Sequence, residues 1–318
     1  MKDVREAVRD LGGMRAVHDA LNRIAQDVRC VVAGECIQDV YRYVVPEGIS
    51  SKSPTLSCRW RREERSYGGT WAIVAHAEQF CRTEHLRGHA MHKKIRYISE
   101  TTGQRLFEVC DIADEAAITY PETFREVYDR ANLALIADFG HGYFEQNPCP
   151  APADRGGPVF QAANVQTNSS NFGFNPFHKR RADYLVLDLR ELRLGFNDRD
   201  TDAVTLGARL HGEWGVPIGL TLGPQGSVMF DRERVYASPA FTPNGVRDAT
   251  GAGDAYFALT ALLLKVGADP LLTAFLGNVF AGLKTQITGN SRAVLKSELL
   301  SACAEILGEL PLMEAANE

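Results

Sequence analysis

Apolar residues recur at Val4, Val8, Leu11, Val17, Leu21, Ile24 and Val28, a near-helical spacing broken at Gly12 and Gly13. The pattern predicts one or two amphipathic helices over the first 28 residues. "CVVAGE" at 30–35 is a short apolar run of the kind that forms a buried parallel strand. From 41 to 67 the chain turns polar, with Pro46, Gly48, Pro54 and "RWRREER", which predicts an exposed strand or flap. "GGTWAIVAHAEQFC" predicts a glycine turn feeding a helix, and "KKIRYIS" and "RLFEV" predict strands. Helical spacing at 121–132 and an apolar run at 133–140 follow. Further strands are expected in "PVFQAANV", "DYLVLDL", "VPIGLTLG", "SVMFD" and "RVYAS", with helices over 200–214, from "TGAGD" onward, across "PLLTAFLGNVFAGLKTQI", and near the C-terminus.

Such alternation predicts an α/β fold, a mainly parallel sheet covered by helices on both faces. No internal repeat interrupts it. Ligands of such sheets gather at the carboxyl ends of the strands, where "GE" at 34, "DFG" at 138, "TLG" at 221 and "TGAGD" at 250 fall.

At 318 residues and 45% hydrophobic content the chain can bury a full core, as one large domain or two small ones. A formal charge of -5 with dispersed lysine and arginine gives no electrostatic reason for nucleic acid or an anionic membrane. Small-molecule partners are therefore expected. "ALTALLLKVGA" is too short and interrupted to span a bilayer and the N-terminus is charged, so a cytoplasmic protein is expected. The seven cysteines are scattered without a CxxC pair, which fits reduced structural thiols.

Chemistry concentrates in "RDATGAGDAYFA" at 247–258. A helix N-terminus leaves its first N–H groups unpaired and partially positive, and glycine lets a ligand approach them. The N–H groups of Ala252, Gly253 and Asp254 could then form an anion hole. A carboxylate beside a bound phosphate repels it, so Asp254 makes chemical sense as the acceptor of a proton from an attacking hydroxyl. Taken alone, a plain glycine-rich helix start explains the same residues. The stretch fits neither GxxxxGK[ST] nor GxGxxG.

In order with other segments, the stretch resembles the second signature of the ribokinase-like (PfkB-type) carbohydrate kinases, D-T-x-G-A-G-D. Gly34 and Asp39 in "GECIQD" are similar to that family's opening segment, and "YGGTWAIVA" to its di-glycine signature. "DLRE" at 188–191, "TLGPQG" at 221–226 and "GNVFAG" at 277–282 resemble its magnesium-placing, nucleotide and adenine-side segments. The resemblance implies a three-layer α/β/α kinase domain over 30–318. It would carry a β-rich lid from about 40–65 and 93–110, behind a helical extension at 1–29.

It also implies ATP and Mg²⁺ as cofactors, Asp254 as base and the 251–254 backbone, with Gly251, Ala252 and Gly253, as anion hole. Nucleotide contacts would come from Thr221, Gly223, Gly226, Thr250 and Asn278, and metal placement from Glu191 and Asp188, which a solvated acidic turn explains equally well. Substrate contacts would come from Asp39, Gly68, Gly69, His141 and Lys52. A homodimer through the lid is implied too. Details of the opening and middle segments resemble kinases that act on C1 of a heptose 7-phosphate.

Three positions depart from the family pattern. Ala72 stands for the asparagine after the di-glycine, His141 for the lysine of D-Y-G-K-G, and Asp188 for the asparagine of N-x-x-E. They leave a nucleoside, another heptose or a cyclitol open as acceptor, and a non-catalytic scaffold as the alternative of another class. Arg59, Arg61, Arg62 and Arg65 form a charge run expected to be mostly solvated, with one arginine able to grip a phosphate. His85, His89 and His92 would share a face if helical, a weak basis for zinc.

Overall fold

A computed structural model describes residues 3–87, 91–113, 124–146, 159–168, 171–232 and 234–309. The broken N-terminal periodicity becomes α1 (Val4–Asp10) and α2 (Gly13–Asp27), divided at Gly12, whose φ is 111°. β1 (Arg29–Gly34) follows, then two long strands, β2 (Cys36–Ile49) and β3 (Leu56–Gly69), which lead into α3 (Thr70–Ala77). β4 (Arg82–Arg87) precedes β5 (His92–Ser99) and β6 (Arg105–Asp111). The chain continues through α4 (Phe124–Arg130), β7 (Leu133–Asp138), α5 (Tyr143–Gln146), β8 (Phe160–Val165), β9 (Tyr184–Asp188), α6 (Leu189–Phe196) and α7 (Ala203–Trp214). It closes with β10 (Ile218–Thr221), β11 (Ser227–Asp231), β12 (Arg234–Ser238), α8 (Ala252–Lys265), α9 (Pro270–Lys284) and α10 (Lys296–Leu307).

The strands form two sheets. The larger runs β12-β11-β10-β9-β8-β7-β1-β4 and is parallel from β10 to β4, with an antiparallel edge at β11 and β12. Its apolar strands alternate between two cores. Cys30 and Val32 face one with α2, α3, α8, α9 and α10, while Val31 and Ala33 face the other with α4, α6 and α7. The N-terminal helices share the first core, burying Val8, Val17, Leu21 and Ile24 there. The sheet is thus the middle of three layers, as the alternation predicted.

The smaller sheet, β3-β2-β5-β6, is the lid. Its first hairpin begins at Cys36 and ends at Gly69 instead of stopping at 40 and 65, because only Glu35 separates β1 from β2. β1 sits where the parallel order reverses: the chain goes from it to β4 on one side and β7 on the other. The site therefore forms at its carboxyl end.

Gly34 fixes that junction. Its φ is 142°, and an added Cβ would overlap the Ala137 carbonyl oxygen and approach Thr70 Cγ2 to 3.1 Å. Backbone cannot move aside as a side-chain tip can. Gly34→Ala is expected to cost about 3 kcal/mol or more and to lower the melting temperature by roughly 5 °C or more in a calorimetric scan.

Candidate active site

α8 begins after Gly251, which holds a left-handed φ of 79° that a side chain resists and whose Cβ would strike Asn290 Oδ1. Ala252 spends its N–H on the Ala249 carbonyl at 3.2 Å. Of the three N–H groups expected to face an anion, this leaves those of Gly253 and Asp254. The space where a Gly253 Cβ would lie has no atom within 4 Å, so an anion can come close. Asp254 is buried in this first turn, and Gln166 Nε2 donates to its Oδ1 at 3.0 Å. Burial pushes its carboxyl up to about 6, against the favourable Gln166 hydrogen bond and the nearby Lys284 charge.

Beneath this turn lies Lys284, fully buried, donating to the carbonyls of Thr250 and Gly289 at 2.7 Å each. From the lid, Arg105 Nη2 donates to Thr250 Oγ1 at 3.1 Å and lies 3.5 Å from Asp248 Oδ1. The turn is held from below and from above.

A cavity of about 500 Å³ opens beside it, bounded by Thr221, Gly223 and Gly226 on one side and by Phe241, Ala281 and Thr285 on the other. Its volume is in the range of small-molecule and cofactor sites. Gly226, with φ of 94°, is required there because its Cβ would overlap the Ser238 carbonyl. Thr221 donates its hydroxyl to the Leu187 carbonyl at 3.4 Å.

Asp188 and Glu191 stand at the same cavity as a reciprocal cap of α6. Asp188 Oδ1 accepts from the Glu191 N–H at 2.7 Å; Glu191 Oε2 accepts from the Asp188 N–H at 2.8 Å, and Oε1 from the Thr167 N–H at 3.1 Å. Burial, then the Asp188 charge, pushes the Glu191 carboxyl up to about 8. Among the described residues no lysine or arginine forms an ion pair with either, and no three ligand-type side chains are gathered as a metal cage. Two acidic side chains without a cationic partner at this cavity fit Mg²⁺, which takes one or two carboxylates, completes its shell with water and phosphate, and would itself favour the ionised form of Glu191.

Asp39, on β2, forms a buried ion pair with Arg96 of β5, and Asn290 Nδ2 donates to its Oδ2 at 3.3 Å. Gly68 on β3 makes room: a Cβ there would meet that Oδ2 at 2.5 Å. Asn290 thus touches both Asp39 and the Gly251 turn, bringing the two carboxylates to one place. Gly69 starts α3 with φ of 60°, and a Cβ there would lie 2.5 Å from the Glu35 carbonyl. His141 is buried, with its ring centroid 4.9 Å from that of His92 and its Nε2 without a partner.

Residues 177–296 match the family model described as pfkB family carbohydrate kinase. A Thermotoga maritima ribokinase structure is similar with a TM-score of 0.66 at 14% identity, over 86% of this chain and 99% of that one. An Arabidopsis thaliana ribokinase complexed with ribose and ATP gives 0.62 at 15%, over 87% and 98%. A Burkholderia thailandensis nucleoside kinase in complex with inosine gives 0.60 at 14%, over 89% and 98%. At these identities the structural likeness carries the ribokinase-like fold. Family match and fold together indicate a kinase. No protein of curated function matches the sequence.

Several expected contacts are placed otherwise in this kinase. Lys52 lies exposed in the turn between β2 and β3, beyond the end of β2 at Ile49, which is itself about 33 Å along the strand from Asp39. Asn278 lines the cavity but spends its amide on Ser227 Oγ, the Ser238 carbonyl and the Ala274 carbonyl, so it braces the wall. Arg59, Arg62 and Arg65 pair with Glu47, Glu64 and Glu63 on the exposed lid. His85 and His92 occupy β4 and β5, strands of different sheets, which removes the helical face; His89 lies outside the described residues. No helix among the described residues is long and apolar enough to cross a membrane.

Sequence reading missed Arg96, Gln166, Lys284, Asn290 and Glu35. The last is buried and accepts N–H bonds from Phe139 at 2.9 Å, His141 at 3.1 Å and Tyr143 at 3.4 Å, fastening the loop after β7. Burial, then the Asp138 charge, pushes its carboxyl up to about 8. A carboxyl raised by folding stabilises the fold fully at acid pH and loses that contribution as pH rises towards its folded value. The stability of the wild type relative to Glu35→Gln is therefore expected to fall from about pH 4.5 to about pH 8, measured by denaturant unfolding of both proteins at each pH.

Proposed function

We propose that this kinase transfers the γ-phosphoryl group of ATP to a hydroxyl of a sugar or sugar phosphate. The observation that carries the reading is Asp254: a buried carboxyl raised to about 6, oriented by Gln166, in the helix turn whose free N–H groups face a nucleotide-sized cavity. An acceptor hydroxyl oriented by Asp39 gives its proton to Asp254 and attacks the γ-phosphorus in line. The N–H groups of Gly253 and Asp254 stabilise charge on the transferring group. Mg²⁺, held by Glu191 and Asp188, would offset the charge of the phosphates. Closure of the lid, with Arg105 against Thr250, keeps water from taking the acceptor's place.

Among sugar phosphates, a heptose 7-phosphate with transfer to C1 is the first acceptor to test, on the resemblance of the opening and middle segments. A nucleoside is the second reading. It is favoured by a cavity of about 300 Å³ beside Asn290, lined by Ala72, Trp71 and Tyr67.

Coupled ADP release across heptose 7-phosphate, neutral sugars and nucleosides separates these acceptors. With an accepted one, kcat/KM should rise with pH and level off above about 6 as Asp254 loses its proton. Asp254→Asn should lose about 10³-fold or more in turnover while calorimetry still detects ATP binding. Near-normal turnover of that variant would remove Asp254 as base.

The lid is also the expected dimer surface. Trp60, Phe107 and Val109 are 63%, 49% and 44% exposed on its strands, more apolar area than a monomer gains by presenting. Light scattering should give twice the chain mass, and Phe107→Glu combined with Trp60→Glu should return it to a monomer.

A further inference from the structure

We propose that the acceptor site reads an anionic group on the molecule it phosphorylates, through the Lys94 ammonium together with the paired imidazoles of His92 and His141. The proposal rests on the kinase reading above and narrows its acceptor to polyols that carry a phosphate or a carboxylate.

The lid register places Lys94 directly across from Asp39. Strand alternation puts it on the same face of β5 as His92 and Arg96. Arg96 closes on Asp39 and Glu108, and His92 meets His141, so both neighbours of Lys94 on that face point into the acceptor site. The other cations around the site are satisfied: Arg96 by two carboxylates, Arg105 by Asp248 and Thr250, and Lys284 by two carbonyls. Lys94 makes no hydrogen bond or ion pair among the described residues. An ammonium left unpaired beside three partnered cations is complementary to an anion that arrives with a ligand.

The imidazoles supply the second, independent observation. His141 is 7% exposed, and its Nε2 is buried without a partner, a costly state unless a ligand completes it. His92 accepts the Ala113 N–H at Nδ1 over 3.2 Å, which leaves its ring proton on Nε2 as a donor. Burial keeps both rings neutral, helped by the charge of Lys94. The carboxylates around them are Asp111 on β6, Glu35 beneath the His141 loop and Asp254 across the site. Each of the last two already accepts hydrogen bonds from its own neighbours. A bound phosphate or carboxylate would pair with Lys94, accept from a ring N–H, and favour the charged imidazole.

Two probes test this without knowledge of the acceptor. Inorganic phosphate and acetate are titrated separately into the whole protein while the His141 and His92 ring resonances are followed against pH. Binding should raise at least one imidazole pKa, and Lys94→Gln should abolish that rise. A response to phosphate alone assigns a phosphorylated acceptor, and one to acetate alone a sugar acid. Coupled ADP release is then compared for fructose, fructose 6-phosphate and gluconate. An anionic member should show a KM lower by about tenfold or more, and Lys94→Gln should raise that KM by a similar factor with a smaller change in kcat.

Imidazoles that ignore both anions, or an equal response in Lys94→Gln, overturn the proposal. So does a KM for fructose equal to that of its anionic counterparts. The kinase reading fails separately, through absence of ATP binding in calorimetry, a measurement that does not involve Lys94.

Discussion

The site depends on burying one cation. Lys284 carries its ammonium into a fully enclosed position, where an unpaired charge would be prohibitive, and it is tolerated because the carbonyls of Thr250 and Gly289 accept from it. Burial lowers its proton affinity, while the carboxylates of Asp248, Asp254 and Asp39 raise it. Those three carboxylates belong to the loop before α8, its first turn and the lid. Satisfying this single ammonium therefore fixes the turn that opens α8, the loop that carries Asn290 and, through Asn290, the position of Asp39.

Around that point the fold divides the labour by sheet. The large parallel sheet delivers Asp188, Thr221 and Gln166 from the carboxyl ends of its strands or just beyond them, and with them the walls of the nucleotide-sized cavity. The small sheet delivers Asp39, Lys94 and Arg96, the groups that would meet an acceptor in the proposed reaction. Donor and acceptor chemistry thus sit on separate layers, joined by Arg105 above and Lys284 below. On the proposed reading, acceptor preference could change by substitution on the lid strands while the turn that opens α8 stays as it is.

What the sequence made legible was local. The left-handed glycine before α8, the acid in its first turn and the three-residue spacing of Asp188 and Glu191 are features a window of a few residues displays. The alternation of apolar runs displayed the layers in the same way. The groups that orient the site are not local: Asp39 meets Arg96 across 57 residues and Asn290 across 251, and Gln166 meets Asp254 across 88. Polar residues at the ends of apolar strands, such as Asn164 and Gln166 after "VFQAA", were the only available sign. Lys52 illustrates the opposite error. It is near Asp39 in the chain, but an extended strand converts that proximity into distance.

Only Glu35 separates the last residue of β1 from the first of β2, so at this crossing core and lid are joined through one residue. Asp39 stands four residues beyond it, about 13 Å along the strand, while the end of β2 at Ile49 is about 46 Å away at the usual rise. The strand is a lever whose short arm ends at the acceptor and whose long arm ends at the exposed tip. A rigid rotation of β2 about Glu35 would move the tip more than three times as far as Asp39. A second lid pressed against that tip would feel whether this one is occupied.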